Sequence, residues 1–274
     1  MISKKVIIIL IALAMIFSFV PVLFGASHSK LPAFEENSFL MGTTESSNWA
    51  GYAIVGTNDS VHNASMSMII PTTDTSGGSY AAFWVGIDGF NDQTVEQTGI
   101  LAEPSGHGHN SETVYYVWYE FYPSAPVYAS FTASAGDYVY ANVTYDGGHN
   151  FSTFISVSTP SGNLVGIFSG HANVKGANDD SAEWIAEAPA SSTGILPLAN
   201  FGEAYYGQYY TGISLTNYAT INGHFATMGS FSPTEIIMVN QQGQPEATPS
   251  AILGDGSSFT VTYDQSSSSH GHGH

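Results

Sequence analysis

Two short stretches of the chain contain residues that could split an amide bond in acid. Residues 83–100 read FWVGIDGFNDQTVEQTGI and include Gln97, and residues 181–189 read SAEWIAEAP and include Glu183 and Glu187. A glutamate has a reference pKa of about 4.3 and suits a general base in acid. A glutamine amide does not titrate, so it can donate a hydrogen bond to a developing oxyanion at any pH. One glutamate and one glutamine could therefore hold a water molecule between them and activate it for attack on a carbonyl.

The spacing of the two glutamates limits what they can do together. In an extended strand Glu183 and Glu187 point to the same face, but four residues of strand span roughly 13 Å. The two carboxyls of a glycosidase lie about 5–5.5 Å or about 6.5–9.5 Å apart, so a sugar-cleaving site would need a partner from another strand, such as Glu120. Because Pro189 cannot continue a central strand ladder, we expect Glu187 near a strand end, where substrate can reach it. Taken alone, a Gln or Glu in a strand is more often structural than catalytic.

The composition is strongly acidic. The 274 residues include 22 Asp and Glu but only 4 Lys and no Arg, and Gly, Tyr and Phe are abundant. This charge disfavours nucleic acid and anionic lipid as partners. A fold with few salt bridges loses little when its carboxylates are protonated, so the balance indicates either adaptation to acid or ordinary acidic solubility. Without cysteine, the chain has no disulfides, no thiolate nucleophile and no cysteine-ligated metal.

No motif predicts a cofactor or a metal. The sequence has no phosphate-binding glycine loop, no H-E-x-x-H and no G-x-S-x-G. The C-terminal His270, His272 and His274 alternate with glycine and could bind a divalent metal weakly, but a disordered tail is the better interpretation. His107 and His109, in a glycine-rich stretch, receive the same interpretation. We predict an enzyme that uses neither metal nor cofactor.

Four segments divide the chain. Residues 1–26 combine a short basic start with an apolar run, which predicts a signal peptide or, alternatively, an uncleaved membrane anchor. Residues 27–45 are polar and predict a pro-segment or linker. Residues 46–265 are the predicted globular domain, and residues 266–274 a disordered Ser/Gly/His tail. No second apolar run reaches the roughly 20 residues that span a bilayer, so we expect a secreted monomer, retained at the membrane only if the N-terminal segment stays uncleaved.

The pattern of the globular region predicts strands. Alternating apolar runs are separated by turn residues, and no stretch of a dozen residues shows a helical stripe. Residues 113–122 (TVYYVWYEFY) are apolar on both faces, which predicts a strand between layers or under a covering sheet. We predict an all-β protein, an antiparallel β-sandwich with long, curved sheets. The predicted strands are 49–55, 64–70, 80–87, 113–122, 127–132, 137–145, 151–158, 163–168, 182–187, 205–215, 226–232, 234–239 and 257–263.

Several motifs occur in the order typical of one enzyme family. The chain resembles the glutamic peptidases, or eqolisins, which are acid proteases that pepstatin does not inhibit. Several short motifs in the right order are more specific than any single one. The resemblance implies a lectin-like (concanavalin-like) β-sandwich, secretion with a pro-segment, and polypeptide substrates. The matching motifs are SSNWAGY (46–52), FWVGIDG (83–89), EQTG (96–99), WYEFYP (118–123), AEWIAE (182–187), ANFG (199–202) and DGSSFTVTY (255–263).

The resemblance also implies roles for particular residues. Gln97 matches the glutamine of the QTG motif, and Glu187 matches the glutamate that closes the AEWIxE motif, so these two are the predicted catalytic dyad. Glu183 is the second choice for the glutamate. Four further positions match residues that line or brace the substrate cleft: Trp49, Trp84, Asp88 and Glu120.

The four cleft positions have structural interpretations as well. Core packing suits Trp49 and Trp84 equally well, and Asp88 within GIDG suits a turn. Glu120, on a mostly aromatic strand face, should have a raised pKa and needs a partner. The chain departs from fungal members of the family, which carry disulfides and have different residues after QTG and after the second glutamate. We therefore expect specificity and loop shape to differ before activity does.

Two functions are compatible with these residues. The first is a secreted acid endopeptidase in which Glu187 is general base and then general acid, Gln97 donates to the oxyanion, and water is the nucleophile. The alternative is a glycan-binding or glycoside-hydrolysing β-sandwich module, because aromatic residues suit sugar stacking and sandwich folds host many functions. The first function requires Gln97 and Glu187 on the same face of one sheet.

Overall fold

The structure is a computed structural model that describes residues 42–106 and 112–264. The segments expected to be a signal peptide (1–26) and a tail (266–274), together with His107 and His109, lie outside the described residues. Strand β1 begins at Thr43, within the segment 27–45 that was expected to be a pro-segment or linker. In the described residues no helix is long and apolar enough to cross a membrane.

The described residues are almost entirely strands and turns. A single α-helical turn, α1, spans Gln208–Thr211, and a 3₁₀ turn spans Met228–Phe231. The strands are β1 Thr43–Ser46, β2 Trp49–Val55, β3 Val61–Ile69, β4 Ala81–Ile87, β5 Val95–Pro104, β6 Thr113–Tyr122, β7 Val127–Ala133, β8 Tyr138–Gly147, β9 Asn150–Ser158, β10 Leu164–Asn173, β11 Ser181–Glu187, β12 Ala190–Ser191, β13 Gly194–Ile195, β14 Glu203–Tyr206, β15 Tyr218–Ile221, β16 His224–Thr227, β17 Thr234–Val239, β18 Pro245–Pro249 and β19 Phe259–Tyr263.

The strands form two layers, as predicted for an antiparallel β-sandwich. The first layer has the order β1-β17-β2-β11-β4-β5-β6-β7, and the second has β18-β19-β14-β3-β8-β9-β10. Strand β15 also pairs with β3, and β16 pairs with β15. Strands β12 and β13 form a separate two-stranded sheet. Pairing of β17 with β18 joins the layers at one edge. Every pairing of named strands is antiparallel except that of β1 with β17, which is parallel.

The main hydrophobic core lies between the layers. Large side chains from both layers meet there, among them Phe83, Trp184, Met66 and Phe259, all fully buried. Each buried side chain of this size stabilises the fold by about 1.5–3 kcal/mol. Neighbouring residues of a strand point to opposite faces, so burial of Trp184 in this core places Ile185 on the outer face of the first layer.

A second, smaller core covers that outer face. It contains Trp49, Trp84, Trp118 and Ile185, and partly buried aromatic residues pack against it. The strand at 113–122 serves both cores, as its pattern predicted, because Val117 faces the main core and Trp118 faces the outer one. A sheet buried on both faces can hold polar side chains away from water.

Most predicted strands exist, and two were wrong in part. Residues 205–215 continue β14 only to Tyr206, because Gly207 has a φ of 100° and turns the chain into helix α1. Residues 226–232 leave β16 after Thr227 and continue as the 3₁₀ turn. The sequence pattern missed β5, because VEQTG lacks apolar alternation and the strand is buried on both faces.

Candidate active site

Four neighbouring strands of the first layer bring the predicted dyad to one face. Residues directly opposite in an antiparallel pair share a face of the sheet. Glu183 lies opposite Gly86, which in turn lies opposite Gln97. Gln97 lies opposite Glu120, so the four residues form one row across β11, β4, β5 and β6. Alternate residues of a strand share a face, so Glu187 projects from the same face as Glu183 and Gln97.

Gly86 lies between Glu183 and Gln97 in this row and places no side chain between them. A Cβ atom there would lie 3.0 Å from the Trp84 ring and 3.4 Å from the Gln97 Cβ. Gly99 is more restricted, because its Cβ would lie 2.1 Å from the Phe83 carbonyl oxygen. The glycines of this sheet therefore let large and polar side chains share a crowded face.

Glu187 is the last residue of β11, as the proline two positions later predicted. Its side chain is nevertheless fully buried. The Trp84 indole N–H donates to Oε2 of Glu187 at 2.6 Å, and the Asn48 side-chain amide donates to Oε1 at 3.3 Å. Each carboxylate oxygen thus accepts one hydrogen bond from an uncharged donor.

Opposing effects act on the ionisation of Glu187. Burial raises its pKa well above the usual value, and the N–H of Trp84 lowers it. The negative charge of Glu120 raises this pKa further, whereas the N–H groups of Trp49 and Asn48 lower it. The Trp49 indole N–H lowers the Glu187 pKa from nearby but forms no hydrogen bond of good geometry. Burial is the largest effect, and the three N–H donors are the groups that oppose it.

Gln97 is held by Glu120. Its Nε2 donates to Oε2 of Glu120 at 2.8 Å, and both side chains are fully buried. Oε1 of Gln97 and Oε1 of Glu120 have no hydrogen-bond partner. Burial raises the pKa of Glu120 to about 8, although the Gln97 amide lowers it. Glu120 therefore carries a proton in acid and orients the Gln97 amide without adding charge.

The two predicted cleft tryptophans lie at the centre of the outer core. Trp49 and Trp84 pack edge to face with ring centroids 4.8 Å apart, a favourable aromatic geometry. They are 2 % and 0 % exposed, so their rings are packed as core residues. Trp84 also makes a polar contact, because its indole N–H donates a hydrogen bond to Glu187.

Asp88 lies at the other end of β4 from the residues that pair with Glu187. It has a φ of 67°, and its carboxylate accepts hydrogen bonds from the backbone N–H groups of residues 178–180 at 2.9–3.0 Å. These bonds fasten the segment that leads into β11. Burial and the charge of Asp92 raise the pKa of Asp88 to about 7, and the backbone donors lower it. The geometry agrees with a turn and anchoring residue.

Further carboxyls surround Asp88, and the sequence patterns did not single most of them out. Burial raises the pKa of Glu96 and of Glu183 well above the usual value, and the charge of Asp88 adds to both effects. Both carboxylate oxygens of Glu96 and of Glu183 lack hydrogen-bond partners. We call this group the Asp88 cluster; its members are Asp88, Asp92, Glu96, Asp179, Asp180 and Glu183.

Asn48 is the site residue that sequence reasoning missed. It immediately precedes Trp49 in the motif SSNWAGY, and Glu187 lies opposite Trp49 in the pairing of β2 with β11. That adjacency was the available signal, but the register between β2 and β11 cannot be read from the sequence. Among the described residues, no group of three or more His, Asp or Glu side chains is arranged to hold a metal ion.

The sequence of the chain matches one protein family. A model of the Peptidase A4 family matches residues 47–263. No curated protein matches the chain in a sequence search.

Several solved structures share the fold. A scytalido-glutamic peptidase with a transition state analog inhibitor is 23% identical, covers 80% of this chain and 98% of its own, and has a TM-score of 0.62. SCP-B, a member of the eqolisin family in complex with the tripeptide Ala-Ile-His, is 21% identical over 80% of this chain and 98% of its own, with a TM-score of 0.59. Aspergilloglutamic peptidase from Aspergillus niger is 28% identical over 68% of this chain and 99% of its own, with a TM-score of 0.54.

Proposed function

Because this chain belongs to the Peptidase A4 family and is a glutamic endopeptidase, we propose that it cleaves polypeptides in acid through a dyad of Glu187 and Gln97. The observation that carries the proposal is the shared face of the first layer. There Glu120 accepts a hydrogen bond from the Gln97 amide, and it lies close enough to Glu187 to raise the Glu187 pKa when Glu120 is ionised, so both members of the dyad adjoin one carboxyl. Peptide hydrolysis by such a pair needs no covalent intermediate.

Glu187 is the proton acceptor in this proposal. Its carboxylate takes a proton from a water molecule as the water oxygen attacks the carbonyl carbon of the scissile bond. When the tetrahedral intermediate collapses, the carbon–nitrogen bond breaks and Glu187 returns the proton to the leaving amine. The bonds from Trp84 and Asn48 support this role, because they favour the ionised carboxylate that a general base requires.

Gln97 is the oxyanion donor. One Nε2 hydrogen is directed to Glu120, which leaves the second hydrogen for the oxygen of the tetrahedral intermediate. Burial strengthens such a hydrogen bond, because water does not screen it. Since Glu120 keeps its proton in acid, it does not compete with Glu187 for the proton of the attacking water.

Glu183 is the weaker candidate for the base. It lies in the same row as Gln97, but neither of its carboxylate oxygens has a donor, and three other carboxyls of the Asp88 cluster act on it. Burial raises the pKa of both glutamates, but at Glu187 it is opposed by three N–H donors. At Glu183 only the Ser181 hydroxyl opposes it, and that hydroxyl forms no hydrogen bond of good geometry. Glu187 is therefore the better proton acceptor of the two.

We also infer that the enzyme is exported and acts as a monomer. The basic start and apolar run of residues 1–26 support export. Recovery of the protein from the culture medium with a new N-terminus beyond residue 26 tests this inference.

A digestion assay tests the dyad. Denatured protein is offered as substrate at pH 2–4 with pepstatin present, and wild type is compared with Glu187→Gln and Glu183→Gln. We expect Glu187→Gln to lose about 10²–10⁴-fold in turnover, the usual contribution of a general acid–base group. Glu183→Gln, the matched control on the same strand, should keep most of the activity.

Folding of each variant is checked by circular dichroism at pH 4. A folded Glu187→Gln protein that cleaves at the wild-type rate contradicts the proposal. Loss of activity in Glu183→Gln alone would transfer the role of base to Glu183.

A further inference from the structure

The turn between β1 and β2 holds a short chain of hydrogen bonds that ends on Glu187. Ser46 is the last residue of β1, and its Oγ accepts the backbone N–H of Asn48 at 3.3 Å and of Trp49 at 3.1 Å. These two bonds use both lone pairs of the hydroxyl oxygen. The hydroxyl hydrogen is therefore directed elsewhere, to Oδ1 of Asn48 at 3.3 Å.

This hydroxyl decides which way the Asn48 amide faces. With Oδ1 held by Ser46, the NH₂ group points to the other side, where it lies 3.3 Å from Oε1 of Glu187. A flipped amide would place its NH₂ against the Ser46 hydroxyl hydrogen and its oxygen against the carboxylate. Both contacts would be repulsive, so only the first orientation gives hydrogen-bond partners to the Ser46 hydroxyl, to both ends of the Asn48 amide and to the Glu187 carboxylate.

The backbone of Asn48 is fixed independently of its side chain. Its carbonyl oxygen accepts the N–H of Ala188 at 2.8 Å, directly after Glu187 in the chain. The residue is 3 % exposed, so water does not replace its amide. A substitution at Asn48 therefore removes a donor from Glu187 while the backbone contact between the two segments remains.

We propose that Asn48, oriented by Ser46, is a positioning residue that fixes Oε1 of Glu187 and favours the ionised carboxylate. This inference deepens the proposed function and rests on Glu187 being the general base. The groups acting on Glu187 from the strands around it are Trp84 on β4, Trp49 on β2 and the carboxyl of Glu120 on β6. Trp84 holds one oxygen, so Asn48 is the donor that completes the fixed orientation of the carboxylate.

The pH dependence of kcat/KM tests this role. The acid limb of the profile is the pH range in which kcat/KM falls because Glu187 becomes protonated. Asn48→Leu should move this limb to higher pH, because the ionised form of Glu187 loses a hydrogen bond. At the acid end we expect a loss of about 10- to 100-fold, the equivalent of one hydrogen bond to a charged group. Ser46→Ala should shift the limb in the same direction by less, because the amide keeps its place but loses its orientation.

A matched control separates positioning from general stability. Asn63 is a half-buried asparagine on β3 of the other layer, and its amide donates to Thr144. Asn63→Leu should lower stability without moving the acid limb. If Asn48→Leu and Ser46→Ala both keep the wild-type limb, the proposal is overturned.

A measurement that does not use activity completes the test. In protein labelled with ¹³C at the glutamate carboxyls, the Glu187 signal is the one missing from Glu187→Gln. Its titration midpoint should rise in Asn48→Leu and stay unchanged in Asn63→Leu. An unchanged midpoint in Asn48→Leu overturns the positioning role even if Glu187 is the base. A raised midpoint supports the positioning role even if activity in Glu187→Gln refutes the dyad.

Discussion

The paired strands β4 and β11 have buried carboxyls near both of their ends, in different surroundings. At one end Glu187 accepts hydrogen bonds from Trp84 and Asn48. At the other end the Asp88 cluster gathers six carboxyls, and the oxygens of Glu96 and Glu183 have no donors. Lys175 is the only lysine among the described residues, which contain no arginine, and it is exposed. Burial raises the pKa of Glu187, Glu96 and Glu183 alike, and Glu187 differs from the other two in the N–H donors that oppose this effect.

This contrast assigns different tasks to the two ends. At one end, the donors to Glu187 support its proposed role as a base. At the other end, burial raises the pKa of all six members of the Asp88 cluster, with or without donors. Protonation in acid removes the mutual repulsion of these carboxyls, so the cluster should stabilise the fold more in acid than at neutral pH. The acidic composition is compatible with acid adaptation and with simple solubility, and the pH dependence of stability distinguishes the two.

The largest effect expected from the comparison is a loss of stability as the pH rises. The folded-state pKa of Asp88 is raised to about 7, and that of Asp179 to about 6, whereas an unfolded Asp titrates near 3.8. The folded protein therefore binds these protons more tightly than the unfolded chain, and stability decreases with pH between the two values. The contribution is fully present below about pH 4 and is lost as the pH rises through about 7. Asp88 alone accounts for about 4 kcal/mol, at about 1.4 kcal/mol per pKa unit.

Thermal unfolding followed by calorimetry from pH 3 to pH 8 measures this effect. Asp74 and Asp255 have lowered pKa values and act in the opposite direction, but Asp74 is exposed, and solvent screening limits such contributions. A midpoint temperature that stays level or rises toward pH 8 would refute the role given to the Asp88 cluster.

The next largest effect concerns Gln97, the second member of the proposed dyad. Gln97→Ala removes the proposed oxyanion donor and should reduce turnover by about 10²–10³-fold, with KM changed little. The variant should also leave Glu120 without its amide partner, which lowers stability modestly. Gln93→Ala, at an exposed position of the loop before β5, is the matched control and should keep wild-type kinetics. Turnover in Gln97→Ala within a factor of two of wild type would argue against an oxyanion role.

The smallest expected effect is on stability and concerns Glu96, a member of the Asp88 cluster. Glu96→Gln replaces a buried carboxyl without partners by an amide that cannot ionise. Because burial and like charges raise the folded-state pKa of Glu96, ionisation of this residue stabilises the unfolded chain at pH 7 but not at pH 3. The substitution should therefore raise the free energy of unfolding at pH 7, by about 1.4 kcal/mol for each pKa unit by which the folded state exceeds the unfolded chain, and change the value at pH 3 much less. Glu45→Gln, at an exposed position of β1, should have no such pH-dependent effect. Equal stability changes at pH 3 and pH 7 in Glu96→Gln would contradict the assignment.

Local patterns predicted a large part of the fold. Alternation of apolar residues located most strands, and the two apolar faces of 113–122 predicted that this strand is buried on both sides. The pattern failed where glycine φ angles turned the chain, as at Gly207, and where a strand was buried on both faces, as in β5. The pattern also missed the short strands β1, β12, β13, β15 and β18. Strand β5 carries Gln97, so a strand essential to the candidate site was among those that periodicity could not detect.

The candidate site was predictable to a lesser degree. Its motifs identified Gln97 and Glu187 as candidates, but not the partners that define their chemistry. Trp84 was predicted to contact substrate, and the structure adds a hydrogen bond from its indole to Glu187. Glu120 was likewise placed in the cleft and holds the Gln97 amide. Asn48 was not predicted as a site residue, because an asparagine before a tryptophan is not by itself a recognisable motif.

Residue types and the two-residue period of a strand are local properties, and they were enough to predict an all-β chain with an acidic charge, no cysteine and a few motifs whose residues suit amide hydrolysis. The pattern of donors could not be predicted in this way: Glu187 accepts hydrogen bonds from Trp84 and Asn48, whereas Glu96 and Glu183 accept none. That outcome depends on the register between strands distant in the chain, and the packing of two layers fixes this register.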